Sequence, residues 1–388
     1  MTIRVRPEEA LLIESACGRC GVAPEAGEIS WDAVVPLAQW HRLVPLVFAH
    51  LRASGATDVP VEVLDALRDG ARAQAARSLQ LQLELDRTLD VLGGADIPAM
   101  LLKGSALIGE VYPDMALRPM VDLDLLVPRD RVDEAHRLVQ TLGYQVGGAA
   151  LGRDDEQRLA TLHHHFPLVK HGGSVMIELH HRLLVDRPDY DVQGVWDRAR
   201  PGDRDRPCLL PAPEDLALHV ISHFALDRIQ RSESSLGQLA DVVRIADTWA
   251  IDWAAVADRA RANGVADRLF LGVLAANALA GSVVPDDVVA ELQPEGFSPE
   301  LGEQFVEQRV LSHGSHLPLE QLRGGVRRVF AGRTALERYV NVDEASPSIW
   351  RLRGRRAVAL GRRLRQAPAP RQLADDVRLT RWLVSLRR

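Results

Sequence analysis

The amino-acid sequence predicts an α+β fold, in which a small mixed β-sheet carries helices on one face and is flanked by helical regions at both ends of the chain. Two observations favour this fold. Short apolar runs bounded by glycine and polar residues are concentrated between residues 95 and 205, and such runs are typical of strands. Segments with apolar residues at helical spacing precede and follow them. We therefore expect three regions: a helical region 1–94, the sheet region 95–205, and a helical region 206–388 with an Arg-rich tail.

The composition of the 388 residues bounds the class of protein. Hydrophobic residues make up 46% of the chain, which is enough for a substantial core, yet no apolar run reaches the roughly 18 residues that span a bilayer. The N-terminal residues lack the apolar segment of a signal peptide, and three cysteines argue against a disulfide framework, so we expect a cytoplasmic protein. Aromatic residues make up only 5% and are not interleaved with basic ones, which argues against a nucleic-acid partner.

Helices are predicted for the first 93 residues. Pro7 suits the first turn of a helix, and Ser30 is a candidate N-cap for a second one. Leu81, Leu85 and Leu89 recur at helical spacing, which predicts the buried stripe of a longer helix that ends at a glycine pair.

The middle region combines strands with a helix. Strands are predicted, in chain order, at 97–102, 121–127, 144–146, 163–170 and 174–181. A helix is predicted at 129–142, because apolar residues keep helical spacing there and Gly143 follows. The last two strands are expected to form an antiparallel hairpin. This order of elements suits a small sheet covered by helices.

Helices are predicted again from about residue 211 onward. Pro213 opens a helix that runs to residue 225, and Leu236, Leu239 and Val243 form the apolar stripe of the next one. A last amphipathic helix follows Pro370. We expect the helices of the two flanking regions to shield the sheet, because buried apolar strands need cover on both faces.

The turn after the first predicted strand has the features of a phosphate-binding loop. The apolar run 99–102 stops at Lys103-Gly104-Ser105, and a helix-compatible segment follows at 106–111. Gly104 permits close approach to the backbone, and the first turn of a helix offers unpaired N–H groups to an anion. We therefore predict that Lys103, Gly104 and Ser105 bind the phosphates of a nucleotide. An equal alternative for Lys103 is to pair with one of the acids of the next strand.

The second predicted strand carries two carboxylates on one face. Because strand side chains alternate between faces, Asp122 and Asp124 are expected to point one way while Val121, Leu123 and Leu125 point into the core. Neighbouring carboxylates repel each other, and a divalent cation is the usual reason to hold them together. The spacing therefore predicts a metal site at this strand.

Several basic residues lie near these acids in the predicted fold. Arg118 comes just before the acid strand and is suited to clamp a phosphate through two N–H groups. His180 shares a strand face with Glu178; it could orient that acid, bind metal or fill the rim, and we assign it to the nucleotide site. His219 and His223 stand one helical turn apart without a His-Glu-x-x-His setting, so we interpret them as packing or cleft-wall residues.

The segments Leu-Lys-Gly-Ser-Ala-Leu, Asp-Leu-Asp-Leu-Leu-Val and Glu-Leu-His resemble a known family. They are similar to those of the bacterial uncharacterised nucleotidyltransferases, in the DNA polymerase β-like nucleotidyltransferase superfamily, over about residues 98–181. The resemblance implies that Glu178 is a third acid beside Asp122 and Asp124. These three residues would then be catalytic and would hold Mg²⁺ or Mn²⁺.

The resemblance also implies an activity. A nucleoside monophosphate would pass from a nucleoside triphosphate to a hydroxyl or phosphate of a small-molecule or peptide acceptor, by a metal-assisted in-line displacement. Two alternatives stay open. Asp-x-Asp also holds the metal-diphosphate of nucleotide sugars in glycosyltransferases, although here a helical region precedes it. A catalytically inactive nucleotide-binding or interaction module is the other alternative, and the presence of all three acids argues against it. No membrane partner is expected.

Overall fold

The computed structural model of the chain describes residues 1–147, 167–184, 186–204, 206–230, 236–311 and 370–386. Residues 163–166 of the predicted hairpin and most of the Arg-rich tail lie outside the described residues. The structure has the predicted α+β fold, with helices around one mixed sheet of seven strands.

Four helices precede the sheet in the chain. They are α1 (Pro7–Cys17), α2 (Trp31–Trp40), α3 (Val44–Ser54) and α4 (Val61–Gly93). α1 begins at the predicted proline, and Ser30 is the N-cap of α2, without a side-chain capping bond. α4 is 33 residues long and buries the predicted stripe of Leu81, Leu85 and Leu89.

The sheet is built from short strands around a central pair. The strands are β1 (Met100–Leu101), β2 (Leu123–Leu126), β3 (Gln145–Val146), β4 (Leu168–Lys170), β5 (Val175–His180), β6 (Arg200–Pro201) and β7 (Leu209–Leu210). Their order across the sheet is β3-β4-β5-β2-β1-β7-β6. β2 is antiparallel to β1 and parallel to β5, so the central strand joins the two halves of the sheet.

Two predicted connections are confirmed in this sheet. β1 is followed at once by the helix α5 (Lys103–Leu107), which confirms the predicted strand-to-helix turn, but the helix spans these residues instead of 106–111. β4 and β5 form the predicted antiparallel hairpin, joined by the 3-10 turn His171–Gly173. The helix α6 (Val132–Gln140) follows β2 within the predicted range.

The second strand is shorter than predicted, and this corrects the argument from alternation. β2 begins at Leu123, where pairing with β5 also begins, so Asp122 precedes the strand. Val121 is 39% exposed instead of pointing into the core, whereas Leu123 and Leu125 are fully buried as predicted. Alternation therefore applies only to the residues that a neighbouring strand holds in register.

The short helix α7 (Val192–Asp197) lies between β5 and β6, and further helices follow β7 in the chain. They are α8 (Pro213–Gln230), α9 (Leu236–Thr248), α10 (Trp253–Ala262), α11 (Ala266–Ala280), α12 (Asp286–Leu292), α13 (Pro299–Phe305) and α14 (Pro370–Ser385). A π-helical segment, Val306–Leu311, follows α13. The predicted stripe of α9, Leu236, Leu239 and Val243, is buried. None of the helices in the described part of the chain is long and apolar enough to cross a membrane.

The chain divides into two compact units. The unit with the sheet comprises Arg4–Ala225 and Ser235–Gln293. The other comprises Met1–Ile3, Leu226–Ser234 and Pro294–Arg388. Within the first unit, α1 packs against α3 and α9, and within the second, α13 packs against α14. The boundaries of the three predicted regions stay a prediction.

Candidate functional site

The register of the two central parallel strands brings acids from distant parts of the chain together. Asp124 of β2 is the direct neighbour of Glu178 of β5, so both side chains leave the same face of the sheet. His180 follows Glu178 by two residues and shares that face. Oxygen and nitrogen atoms of Asp124, Glu178 and His180 lie within 4.8 Å of one another. Two carboxylates and an imidazole at this separation can hold a metal ion.

Asp124 is the most strongly engaged of these side chains. Its Oδ1 accepts a hydrogen bond from Lys103 Nζ at 2.7 Å and a second from His180 Nε2, also at 2.7 Å. Burial by itself would raise the pKa of Asp124, but the Lys103 ammonium and the His180 bond outweigh burial and hold this pKa well below its usual range. Asp124 is therefore ionised across the physiological pH range.

His180 forms its hydrogen bond to Asp124 from a buried position in β5. The residue is fully buried, and burial lowers the pKa of its imidazole. A carboxylate oxygen can only accept, so the bond to Asp124 requires the proton of the neutral ring to be on Nε2. His180 Nε2 also lies 3.6 Å from Glu178 Oε2. The acid that His180 bonds to is Asp124 and not the predicted Glu178, and the three sequence interpretations of His180 stay predictions.

Asp122 stands apart from the group that could hold a metal. It precedes β2 and is half-buried, and its carboxylate is outside the set of ligand atoms formed by Asp124, Glu178 and His180. Burial, together with the negative charges of Asp124 and Glu178, raises the pKa of Asp122 to about 7. The carboxyl group of Asp122 thus changes its protonation state near neutral pH.

The turn after β1 carries a charged lysine and a serine hydroxyl that has no hydrogen-bond partner among the described residues. Lys103 has φ 48°, in the left-handed region that non-glycine residues rarely adopt, and this backbone turn accompanies the contact of its ammonium with Asp124. Burial lowers the pKa of Lys103, but Asp124 outweighs burial and raises it, so the side chain is charged. Ser105 is 2% exposed, and its Oγ has no hydrogen-bond partner among the described residues.

Gly104 lies between these two residues at a point of close packing. A Cβ atom at this position would lie 2.9 Å from Met120 Sδ and 3.8 Å from Arg118 Cζ. The missing side chain therefore lets Met120 approach the turn after β1.

Arg118 forms a bidentate ion pair with a residue of α9. Its Nε and Nη2 donate to Asp241 Oδ1 and Oδ2, each at 2.7 Å, and its Nη1 donates to the Pro119 carbonyl at 2.6 Å. The Tyr112 hydroxyl donates to Asp241 Oδ1 at 2.8 Å. The Arg244 guanidinium lies 5.1 Å from the centroid of the Tyr112 ring. Nothing local in the sequence pairs Arg118 with a helix more than 100 residues away.

The second lysine of the chain lies in a different cluster. Lys170 Nζ contacts the two carboxylate oxygens of Glu84 at 2.9 and 3.1 Å, and the Tyr144 hydroxyl donates to Glu84 at 2.9 Å. Burial raises the pKa of Glu84, but these two partners outweigh burial and lower it. The cluster ties α4 to the strand before Glu178, which helps to position the hairpin.

A family model describes most of this arrangement. The model of the uncharacterised nucleotidyltransferases matches residues 27–281, which include the turn after β1, both acid strands and the helices α2–α11. The chain belongs to this family. No curated protein and no solved structure matches the chain significantly. Membership of the wider DNA polymerase β-like superfamily stays a prediction from the sequence. The nucleotidyltransferase family supports nucleotidyl transfer as the general activity, and the acidic group of this family member could bind a metal ion.

Proposed function

We propose that this nucleotidyltransferase transfers a nucleoside monophosphate from a nucleoside triphosphate to a hydroxyl or phosphate of a small-molecule or peptide acceptor. One observation carries the proposal: Asp124 and Glu178 are register partners whose carboxylates, with His180, lie within 4.8 Å of one another in a member of this family. In-line phosphoryl transfer is catalysed mainly by positioning and by neutralising charge, and such a group suits both tasks.

The oxygen atoms that the acidic side chains offer as metal ligands fit a hard divalent cation. Carboxylate oxygens are the preferred protein ligands of Mg²⁺ and Mn²⁺, so Asp124 and Glu178 would hold the ion, with Asp122 as a further oxygen donor from the segment before β2. His180 would keep its hydrogen bond to Asp124 and fix the direction of that carboxylate. A cation held there supplies neutralisation of the charge on the transferring phosphoryl group.

The turn after β1 would hold the phosphates. Lys103 is a charged, half-buried ammonium beside the acids, and Gly104 follows it in the turn, where it packs against Met120. The Ser105 hydroxyl, which is buried and without a partner among the described residues, is suited to donate to a phosphate oxygen. Three of the five N–H groups of Arg118 bond to Asp241 and Pro119, which leaves two that a phosphate could accept from.

One carboxylate would accept the proton of the attacking group. Without a metal ion the pKa of Asp122 is about 7, so its carboxylate is the more basic of the two aspartates. Asp124 is much less basic, because Lys103 and His180 stabilise its ionised form. We therefore assign proton acceptance to Asp122 and charge positioning to Asp124.

The test combines binding and transfer. Calorimetry should detect binding of a nucleoside triphosphate in Mg²⁺ that is lost in EDTA, and incubation with α-labelled triphosphates and a cell extract should label an acceptor. Asp124→Asn should abolish both signals. Asp69→Asn is the matched control, since the Asp69 side chain is 68% exposed and pairs only loosely, at 3.4 Å, with Arg68. Equal nucleotide binding by the wild-type protein in Mg²⁺ and in EDTA would refute the proposed mechanism.

A further inference from the structure

The helix α8 presents polar atoms inside the protein that have no partners. His219 is 1% exposed and Ser222 is fully buried, and their separation of three residues sets them on one face of the helix. Neither ring nitrogen of His219 has a hydrogen-bond partner among the described residues, and the same holds for the Oγ of Ser222. Buried polar atoms are nearly always hydrogen-bonded, so three such atoms on one helix face indicate that something else pairs with them.

His219 lies near the acidic group, and Ser222 shares its helix face. The charges of Lys103, His180 and Asp124 all act on the His219 imidazole, and the ring of His223 lies 6.4 Å from it, centroid to centroid. Burial lowers the pKa of His219 well below its usual value, and the positive charge of Lys103 adds to this effect. His219 is therefore neutral, with one N–H donor and one nitrogen acceptor.

The chemistry of these groups selects the kind of ligand. A neutral imidazole and a serine hydroxyl each offer a donor and an acceptor, and a hydroxyl group of a ligand needs both. A phosphate is an acceptor only, and Lys103 and Arg118 already supply cations for it. We propose that His219 and Ser222 form a hydroxyl-binding subsite beside the acids. Its ligand is a substrate hydroxyl, either on the ribose of the nucleotide or on the acceptor. The inference rests on the proposed function.

Replacement of His219 by leucine separates binding from folding. In a purely structural role, His219 would lose native interactions in His219→Leu, and the melting temperature would fall. In a subsite, the leucine removes an unsatisfied buried polar group, so the melting temperature should be unchanged or higher while ligand affinity falls. His219→Asn and His219→Gln, which keep a donor and an acceptor, should recover part of the affinity. His136→Leu, at another buried helical histidine, is the control and should leave nucleotide affinity unchanged.

Two measurements distinguish the two sources of the hydroxyl. Calorimetry in Mg²⁺ compares each nucleoside triphosphate with its 2′,3′-dideoxy form, for wild type and His219→Leu. If the ribose is the ligand, the wild type should bind the ribonucleotide more tightly than the dideoxy form. In the variant the ratio of these two Kd values should be about tenfold smaller, which is the effect of losing one hydrogen bond. If the acceptor is the ligand, this preference should not change, and half-maximal label transfer should need about tenfold more cell extract.

The outcomes also separate this inference from the proposed function. Failure of the wild-type protein to bind any nucleoside triphosphate in Mg²⁺ would remove both. Normal nucleotide binding and transfer by His219→Leu, or a fall in melting temperature without a selective loss in either measurement, would overturn the subsite alone. The same comparison with Ser222→Ala tests the second residue.

Discussion

Removal of the Lys103 ammonium should strengthen the binding of a divalent metal ion when no nucleotide is present. Lys103 Nζ lies 2.7 Å from Oδ1 of Asp124, a carboxylate that a metal ion bound by the acidic group would also contact. The ammonium thus neutralises the carboxylate that the metal needs. In Lys103→Met the side chain keeps a similar length and apolar volume but loses this charge, so the metal no longer competes with it.

The expected size of the effect follows from this contact. A hydrogen bond to a charged group contributes about 1.5–3 kcal/mol. Since 1.4 kcal/mol corresponds to tenfold in a binding constant, the Kd for the metal should fall by about 10- to 100-fold. Nucleotide binding should weaken in the same variant, because the phosphates lose a cation.

Titration of Mn²⁺ by electron paramagnetic resonance at pH 8, without nucleotide, measures the metal Kd directly. Lys170→Met is the matched control, because Lys103 and Lys170 are the only two lysines of the chain. Lys170 pairs with Glu84, which is not among the acids that could hold a metal. An unchanged or higher metal Kd in Lys103→Met would refute the competition between ammonium and metal.

Three further predictions follow from the same region. Asp241→Asn removes the buried counter-charge of the largely buried Arg118 guanidinium and should lower the free energy of unfolding by about 3–5 kcal/mol in urea. Gly104→Ala sets a Cβ 2.9 Å from a buried methionine sulfur, so it should destabilise the fold by about 1–3 kcal/mol and weaken nucleotide binding. The pKa of Asp122 is raised from an ordinary 3.8 to about 7, so the affinity for a metal ion should increase from pH 6 to pH 8 as this carboxyl group loses its proton. For the same reason, the free energy of unfolding of the metal-free protein should decrease as pH rises from about 4 to about 7.

Each of these predictions has a control and a contradicting result. Asp65→Asn, at an exposed ion pair, should cost at most about 1 kcal/mol, and a similar small loss in Asp241→Asn would contradict the burial argument. Gly93→Ala adds a Cβ with no atom within 4 Å, so it should be neutral or stabilising, and equal effects at both glycines would contradict the packing argument. Asp122→Asn should flatten the pH dependence of metal affinity; an unchanged profile would assign the titration to another group.

Local pattern was enough to predict the elements that bury many residues. The long helix α4 with its leucine stripe, the strand-to-helix turn at Lys103 and the hairpin of β4 and β5 all follow from periodicity and from glycine positions. The strands β6 and β7 were not predicted. Each has two residues, which is too short for any periodicity, and β7 exists because β1 pairs with it.

Part of the candidate site could likewise be predicted from the sequence, and the rest of it depends on the fold. Asp124 and the family resemblance come from the sequence, since an acid in an apolar strand is itself unusual. The side chains that act on Asp124 depend on the fold: Lys103 is 21 residues away and His180 is 56 residues away. The displacement of Asp122 from the strand, the ion pair of Arg118 with Asp241 and the unpartnered polar face of α8 also depend on the fold.

By itself, the sequence determined the α+β class, the main helices and strands and the family, because these follow from short-range periodicity and from residue types along one segment. Only the tertiary structure decided which carboxylates share a face, which cations neutralise them and which polar atoms lack partners. Electrostatic energy and hydrogen bonding depend on distances of a few ångströms between atoms. Chain positions far apart in the sequence acquire such distances only when the strands and helices pack.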